Sequence, residues 1–213
     1  MKYKHIIWDW NGTLVDDCKL CLDSFNISLK KRSLSSIDYQ KYRSIFTFPI
    51  INVYKKAGFS FENESYEKIS GEFVSFYENN FHKVKLHNQV RESLEMIISK
   101  GLSQSILSAG RQDLLNNWLK SYDISEYFFK IVGVQDQYAS GKLDQGLSLK
   151  KDLSFNDNEI VLIGDTLHDH EVAESLNIDC ILIDHGHVST NRLERTGRIV
   201  TSSILGVLNS INI

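Results

Sequence analysis

The sequence predicts an α/β protein with a doubly wound parallel sheet and an inserted α-helical subdomain. Short apolar runs recur at His5–Trp8, Ser103–Leu107, Ile160–Ile163 and Cys180–Ile183, with a fifth, weaker run at Ile131–Val134. Strands of a parallel sheet are buried on both faces, so they read as continuously apolar rather than alternating. Helical patterns separate these runs, and strands that alternate with helices indicate βαβ units.

Three segments between the runs have the spacing of amphipathic helices. Residues 90–100 repeat apolar side chains at helical intervals and end before Gly101, a residue typical of a helix C-terminus. Residues 112–122 and 171–176 show a similar pattern. These segments supply the helices that the βαβ units require.

The stretch from Asp17 to Lys83 breaks the alternation. It has no convincing buried strand, and its apolar residues follow helical spacing instead. Aromatic residues are dense here, and the chain's only proline, Pro49, predicts a helix boundary. We therefore predict an α/β core of residues 1–16 and 84–213 and a helical subdomain of residues 17–83.

Composition and charge narrow the class of protein. The 213 residues carry a formal net charge of -3 and no basic stripe, which argues against a nucleic-acid partner. No apolar run reaches the length of a membrane span, and the N-terminus lacks the pattern of a signal peptide. Three cysteines fit a reducing compartment better than a disulfide framework. We expect a cytoplasmic protein that binds neither nucleic acid nor membrane, as a monomer or small homo-oligomer.

Polar side chains follow the predicted strands at their carboxyl ends. Asp9 ends the first apolar run, Ser108 directly follows Leu107, and Lys142 lies in a loop after the 131–134 run. Asp165 and Asp169 come directly after the run at 160–163. Because the carboxyl ends of parallel strands point to one edge of the sheet, these side chains should meet around one point.

This set of residues suits phosphoryl transfer. A carboxylate can attack phosphorus and form an aspartyl-phosphate. Mg²⁺ prefers oxygen ligands, so one or two carboxylates and the substrate phosphate suffice to bind it. A lysine neutralises the phosphoryl oxygens, while a hydroxyl and backbone N–H groups hold them. Each residue alone also fits a structural role such as a helix N-cap. Their order, each after a strand-like run, favours the catalytic interpretation.

These motifs resemble those of the haloacid dehalogenase superfamily over essentially the whole chain. The segment 6–15 resembles the nucleophile motif Asp-x-Asp-Gly-Thr, with Asn11 in place of the second aspartate. The resemblance implies a Rossmann-like core, dependence on Mg²⁺ and, usually, hydrolysis of phosphate monoesters. The helical insert resembles the C1 cap of phosphoglycolate-phosphatase-like members.

The resemblance also implies roles for individual residues. Asp9 matches the nucleophile, and the implied catalytic set is Asp9, Asn11, Ser108 and Lys142. The implied metal ligands are Asp9, the backbone carbonyl of Asn11, Asp165 and Asp169, the last directly or through water. The predicted phosphate contacts are Thr13, Ser108, Ala109, Gly110, Lys142 and, from a loop of the cap, Arg43. Lys150 and Lys151 remain alternatives to Lys142.

Asn11 separates this sequence from the phosphatases of the family, which have an aspartate there. That aspartate protonates the leaving oxygen and then activates the attacking water, whereas an asparagine has no titratable proton near neutral pH. General acid–base help is worth about 10²–10⁴ in rate. The remaining sources of a proton are solvent, the substrate or one of four side chains: Asp16, Asp17, His168 and His170.

Several functions therefore stay open. We favour a Mg²⁺-dependent phosphatase for a small phosphorylated metabolite, such as a sugar phosphate, phosphoglycolate or an amino-alcohol phosphate, because a lid implies a small substrate. A catalytically impaired protein that binds a phosphorylated ligand is the main alternative. Dehalogenation, C–P cleavage and phosphotransfer to a second substrate are further alternatives.

Overall fold

A six-stranded parallel sheet forms the centre of the protein, whose computed structural model describes residues 2–135 and 141–213. The strands are β1 His5–Trp8, β2 Ser103–Arg111, β3 Lys130–Val134, β4 Ile160–Gly164, β5 Asp179–Ile183 and β6 Ile199–Thr201. They lie in the order β3-β2-β1-β4-β5-β6, so the chain winds outward in both directions from β1. Every residue of β1 and β4 is buried, as expected for central parallel strands.

The described residues form ten α-helices. They are α1 Cys18–Lys31, α2 Tyr39–Ile45, α3 Ile51–Lys56, α4 Tyr66–Asn80, α5 Val90–Ser99, α6 Gln112–Ser121, α7 Leu143–Asp152, α8 Leu167–Ser175, α9 Thr190–Glu194 and α10 Ile204–Ser210. The first four precede the second strand without an intervening strand, as the aromatic-rich segment predicts. Within the described ranges, no helix has the combination of length and apolar character that a membrane span needs.

The predicted α/β fold is confirmed, with differences at the ends of elements. The sixth strand was not predicted, because it has only three residues and lies at the sheet edge with Ile199 exposed. Strand β2 continues to Arg111, four residues beyond the predicted end, with a shift of register after Leu107. Helix α8 begins at Leu167, because the Thr166 hydroxyl accepts a hydrogen bond from the Asp169 N–H and caps the first turn.

The helical segment α1–α4 has an aromatic core of its own. The Phe25 ring lies 4.6 Å from Tyr54, 5.1 Å from Phe73 and 6.0 Å from Tyr42, measured between ring centroids. Aromatic pairs at these distances and tilts stabilise a core beyond the burial of area alone. The dense aromatics of the sequence therefore hold these four helices together.

The chain enters and leaves this helical segment through two paired stretches. The N–H of Asp16 donates to the carbonyl of Lys85 at 2.9 Å, and the N–H of His87 donates to the carbonyl of Leu14 at 2.9 Å. This pairing brings the two crossing points together beside the end of β1. The helices consequently stand over the carboxyl edge of the sheet.

Candidate active site

The site begins where β1 ends, at the buried Asp9. The Asp9 N–H donates to the carbonyl of Ile163 at 2.8 Å, which fixes the residue beside β4. The chain then turns at Gly12, whose φ is +74°. A Cβ atom on Gly12 would lie 2.5 Å from Asp165 Oδ2, so this position accepts only glycine. The Thr13 hydroxyl donates to Asp165 Oδ1 at 2.9 Å and ties the turn to β4.

Three buried carboxylates meet at this point. Oxygens of Asp9, Asp165 and Asp169 all lie within 4.8 Å of one another. Burial raises the pKa of Asp9 well above its usual value, and the neighbouring acids add to the rise while Lys142 opposes it. Burial also raises the pKa of Asp165 to about 6. Carboxylates crowded in this way have too little positive charge around them, and their oxygens fit a hard divalent cation such as Mg²⁺.

The lysine that reaches these acids is Lys142, at the start of α7. Its ammonium contacts the Asp9 carboxylate, lies 2.6 Å from Asp169 Oδ1 and donates to the Leu107 carbonyl at 2.9 Å. The side chain is only 2% exposed. Burial alone would lower the pKa of Lys142, but the two carboxylates outweigh burial and raise it. Lys142 is therefore a permanent positive charge against Asp9.

Lys150 and Lys151, the alternatives to Lys142, do not contact the three carboxylates. Lys150 donates to the Leu176 carbonyl at 2.5 Å and pairs with Asp157 at 2.6 Å, and Lys151 is exposed. Helical geometry explains the separation, because these residues follow Lys142 by two turns of α7 and project away from the sheet edge.

Asp169 pairs with the Lys142 ammonium and also caps the first turn of its own helix, α8. One carboxylate oxygen, Oδ2, accepts hydrogen bonds from the Thr166 N–H at 2.9 Å and the Thr166 hydroxyl at 2.6 Å. The other oxygen, Oδ1, faces the Lys142 ammonium. Burial alone would raise the pKa of Asp169, but Lys142 and the hydrogen bonds hold it below its usual value. Both oxygens are thus engaged, which favours a contact with a metal through water over direct ligation.

Ser108, Ala109 and Gly110 lie on β2 beside this group. Ser108 is buried, and its Oγ accepts a hydrogen bond from the Gly110 N–H at 2.9 Å. Ala109 and Gly110 line the pocket into which Asp9 opens. Because the Ser108 oxygen acts as an acceptor here, its hydroxyl hydrogen is left to donate to a bound anion.

Asn11 has an orientation that the sequence does not reveal. Its Nδ2 donates to Asp17 Oδ2 and to the Tyr77 hydroxyl, both at 2.8 Å. An ionised carboxylate only accepts hydrogen bonds, so the Asn11 amide nitrogen must face Asp17. The Asn11 carbonyl oxygen therefore faces the other way, toward Gly110, where a Cβ would lie 3.5 Å from it. Asn11 presents an acceptor to the pocket.

Asp17 is the centre of a buried network behind Asn11. It accepts hydrogen bonds from the Gly12 N–H at 2.9 Å and the Tyr77 hydroxyl at 2.7 Å, and His187 Nε2 lies 3.3 Å away. Burial alone would raise the pKa of Asp17, but His187 and the hydrogen bonds hold it at about 2. Asp17 is thus a carboxylate at all ordinary pH values, which makes it a poor proton donor.

The other three side chains predicted as proton donors differ in their access to the pocket. Asp16 is exposed to solvent beyond the turn. His168 lines the pocket and stacks on Phe48, with ring centroids 4.7 Å apart. His170 accepts a hydrogen bond from Arg198 at 3.1 Å and does not line the pocket. Of the two histidines, only His168 has access to a bound substrate.

Arg43 does not reach the predicted position at the phosphate. Its guanidinium donates to the carbonyls of Asp184 and Val188, the latter at 2.7 Å, and it does not line the pocket. The reason is local, because α2 points this side chain toward the loop that follows β5. Arg43 therefore anchors that loop to the helical segment, which corrects its prediction as a substrate contact.

We expect Lys142→Met to lower the free energy of unfolding by about 3–5 kcal/mol, because it leaves buried carboxylates without their cation. Urea unfolding without added metal measures the change, and Mg²⁺ should recover part of it. Lys130→Met is the matched control, because its ion pair with Asp152 is exposed and its loss should change stability by about 0.5 kcal/mol or less. Equal effects of the two substitutions would contradict the role of Lys142.

Comparisons with known proteins identify the family and the fold. The family model for haloacid dehalogenase-like hydrolases matches residues 6–183. A haloacid dehalogenase-like hydrolase of Streptococcus pneumoniae superposes with a TM-score of 0.85 at 20% identity, over 99% of each chain. A predicted phosphoglycolate phosphatase of Haemophilus somnus superposes with a TM-score of 0.79 at 16% identity, over 99% of each chain.

Among curated sequences, "Putative pyrophosphatase PpaX" of Caldanaerobacter subterraneus is 21% identical over 187 residues, which cover 86% of this chain and 82% of that protein. The likeness in sequence is low, and the likeness in fold extends over whole chains. The family model spans most of the chain and begins within β1, the strand that Asp9 directly follows. The protein belongs to the haloacid dehalogenase-like hydrolase family.

Proposed function

We propose that this protein is a Mg²⁺-dependent phosphatase that hydrolyses small phosphate monoesters through an aspartyl-phosphate on Asp9. The observation that carries the proposal is the buried Asp9 carboxylate, which contacts the Lys142 ammonium and opens on a pocket. A buried carboxylate beside a fixed cation is suited to attack an electrophile that bears negative oxygens.

Asp9, Asp165 and the backbone carbonyl of Asn11 would hold the metal ion. When bound, Mg²⁺ would neutralise the phosphoryl oxygens and favour the ionised form of Asp9, whose pKa is raised without it. Asp169 supports this group by holding Lys142 in place. The residues fit the ion because every ligand is an oxygen.

The chemistry has two displacements. An oxygen of Asp9 attacks phosphorus, the ester P–O bond breaks, and the organic group leaves as an alcohol after taking up a proton. Water then attacks the phosphorus of the aspartyl-phosphate, the P–O bond to Asp9 breaks, and a proton of the water passes to solvent. Inorganic phosphate and the Asp9 carboxylate are formed. Lys142 neutralises charge in both steps, and the Ser108 hydroxyl would hold a phosphoryl oxygen. Thr13, predicted as a phosphate contact, is buried and donates its hydroxyl hydrogen to Asp165 instead.

Asn11 changes one part of this scheme. Its amide hydrogens are taken by Asp17 and Tyr77, so it cannot donate to the leaving oxygen. Its carbonyl oxygen can accept a hydrogen bond from the attacking water and orient it, but it cannot remove the proton. His168 lines the pocket, but its Nε2 accepts a hydrogen bond from the Lys142 N–H at 3.1 Å and its Nδ1 lies 3.4 Å from Glu171 Oε2. The leaving oxygen must therefore take its proton from solvent or from the substrate itself. We therefore expect slower turnover than an aspartate at this position would allow.

The helical segment of residues 17–83 would act as a C1-type cap over this site. Tyr77 of α4 contacts both Asn11 and Asp17, so the helices and the sheet edge meet at the reacting groups. A cap that approaches the nucleophile this closely excludes water and selects small, diffusible substrates.

Release of inorganic phosphate from a broad panel of phosphomonoesters tests the proposal. We expect release with Mg²⁺, loss of release with EDTA, and recovery when Mg²⁺ is added in excess. A catalytically impaired ligand-binding protein is the second candidate, which the engaged amide of Asn11 favours. Tight binding of one panel member with no release above the buffer rate would support that candidate and refute the phosphatase.

A further inference from the structure

We propose that the substrate's organic group is uncharged and apolar, about the size of one aromatic ring, and binds between the helical segment and α6. The proposal rests on the proposed function for the phosphate end of the ligand, since the pocket reaches Asp9. It favours phosphate esters of arylalkyl alcohols over sugar phosphates and phosphoglycolate as substrates.

The pocket is continuous from Asp9 and Lys142 at the sheet edge to the helical segment. Beyond the reacting groups its walls are formed by half-buried apolar side chains of that segment and of α6. They include Phe48, Ile50, Phe73, Val74, Leu114 and Trp118. Apolar side chains that line a cavity and stay partly exposed gain free energy when a ligand covers them.

Three rings give this wall a shape suited to a flat group. Phe73 and Tyr77 are nearly parallel, with an interplanar angle of 11° and centroids 6.0 Å apart. Trp118 meets Tyr77 edge-on, at 74° and 5.8 Å. A ligand ring can make both offset-stacked and edge-to-face contacts with such an arrangement.

The size of the whole pocket, which includes the phosphate end at Asp9 and Lys142, limits the organic group to about one ring. Its volume is about 180 Å³. For comparison, an engineered apolar cavity of about 150 Å³ binds benzene. The pocket therefore has room for a single ring with a short linker to the phosphate.

Most charged groups of the pocket beyond Asp9 and Lys142 are engaged within the protein, and among the described lining residues Glu78 Oε1 is the buried oxygen without a hydrogen-bond partner. Asp17 is already bonded to Gly12, Asn11 and Tyr77. Glu78 and Arg111 lie 3.4 Å apart as an ion pair, and Arg111 also donates to Asp113 at 2.6 Å. Among the lining residues that the structure describes, a sugar would bury hydroxyl groups against mainly apolar walls, which is unfavourable.

The test compares ligands that differ only in the ring. Isothermal titration calorimetry with Mg²⁺ measures the affinity of benzylphosphonate against that of methylphosphonate, neither of which needs turnover. We expect benzylphosphonate to bind about 10- to 100-fold more tightly, the gain from burying one such ring. In parallel, kcat/KM for 2-phenylethyl phosphate should exceed that for ethyl phosphate by a similar factor. The two leaving alcohols have similar basicity, so the difference in kcat/KM reports contacts with the ring.

Variants locate the ring in the pocket. Trp118→Ala and the milder Leu114→Gln should reduce the benzyl-to-methyl affinity ratio by about 10-fold. Phe129→Ala removes a ring that is 63% exposed and distant from the pocket, so it should leave the ratio unchanged. Leu114→Gln alters a half-buried position, so it keeps the test decisive if Trp118→Ala does not fold.

The outcomes separate this inference from the proposed function. An affinity ratio near one would overturn the inference, even if both esters are hydrolysed. A ratio of 10 or more, with no release of phosphate from any ester of the broad panel, would support the ring pocket and refute the phosphatase. A ratio that falls equally in Phe129→Ala and the pocket variants would also overturn the inference.

Discussion

We expect Asp9→Asn to abolish phosphate release, with a fall in kcat of at least about 10⁴-fold, while the protein stays folded. An amide of the same shape fills the same space but is not a nucleophile toward phosphorus. Lys142 keeps its contacts with Asp169 and the Leu107 carbonyl. Because the substitution removes one of three crowded acids, the melting temperature without metal should be unchanged or higher.

Asp16→Asn is the control for this prediction. Asp16 lies just beyond the same turn but is exposed, and its carboxylate is outside the pocket. This variant should retain most of the parent's rate in a phosphate-release assay with Mg²⁺. If Asp9→Asn kept more than about a tenth of the parent's rate, the mechanism through an aspartyl-phosphate would be wrong.

The second large effect concerns the neighbouring pair Asn11 and Asp17. The single substitution Asn11→Asp places a second carboxylate where the amide lies 2.8 Å from Asp17 Oδ2. A half-buried and a fully buried carboxylate at this distance cannot both ionise without a large cost, so we expect this variant to be less stable than the parent. Combining it with Asp17→Asn restores one acid and one amide in exchanged positions.

We expect the exchanged variant, Asn11→Asp with Asp17→Asn, to have a kcat about 10²-fold or more above that of Asp17→Asn alone. The physical reason is that an acid now faces the leaving oxygen and the attacking water. Asp17→Asn is the proper reference, because both proteins lack the carboxylate that lies beside His187. Phosphate-release assays measure kcat, and thermal unfolding measures stability, for the parent, the two single variants and the double variant. A kcat at or below that of the reference would mean that Asn11 itself has a positive role in the reaction.

The order of motifs along the chain was predictable because it depends on local patterns. An apolar run that ends in Asp9 and turns at Gly12 already describes a buried strand that delivers a carboxylate to the sheet edge. Lys142 was harder to distinguish from Lys150 and Lys151, since exposed and buried lysines look alike in a sequence. The fold distinguishes them, because of these three lysines only Lys142, directly before α7, reaches Asp9.

The sequence by itself determined the α/β class, the helical insertion and the acids that meet at the sheet edge. Those features follow from periodicity and from the direction shared by parallel strands. Only the tertiary structure decided what Asn11 presents to a ligand, where Arg43 points and which aromatics line the pocket. Such properties depend on contacts between residues far apart in the chain. The bond from Asn11 to Tyr77 spans 66 positions, and no local pattern encodes which faces of α4 and the β1 turn will meet.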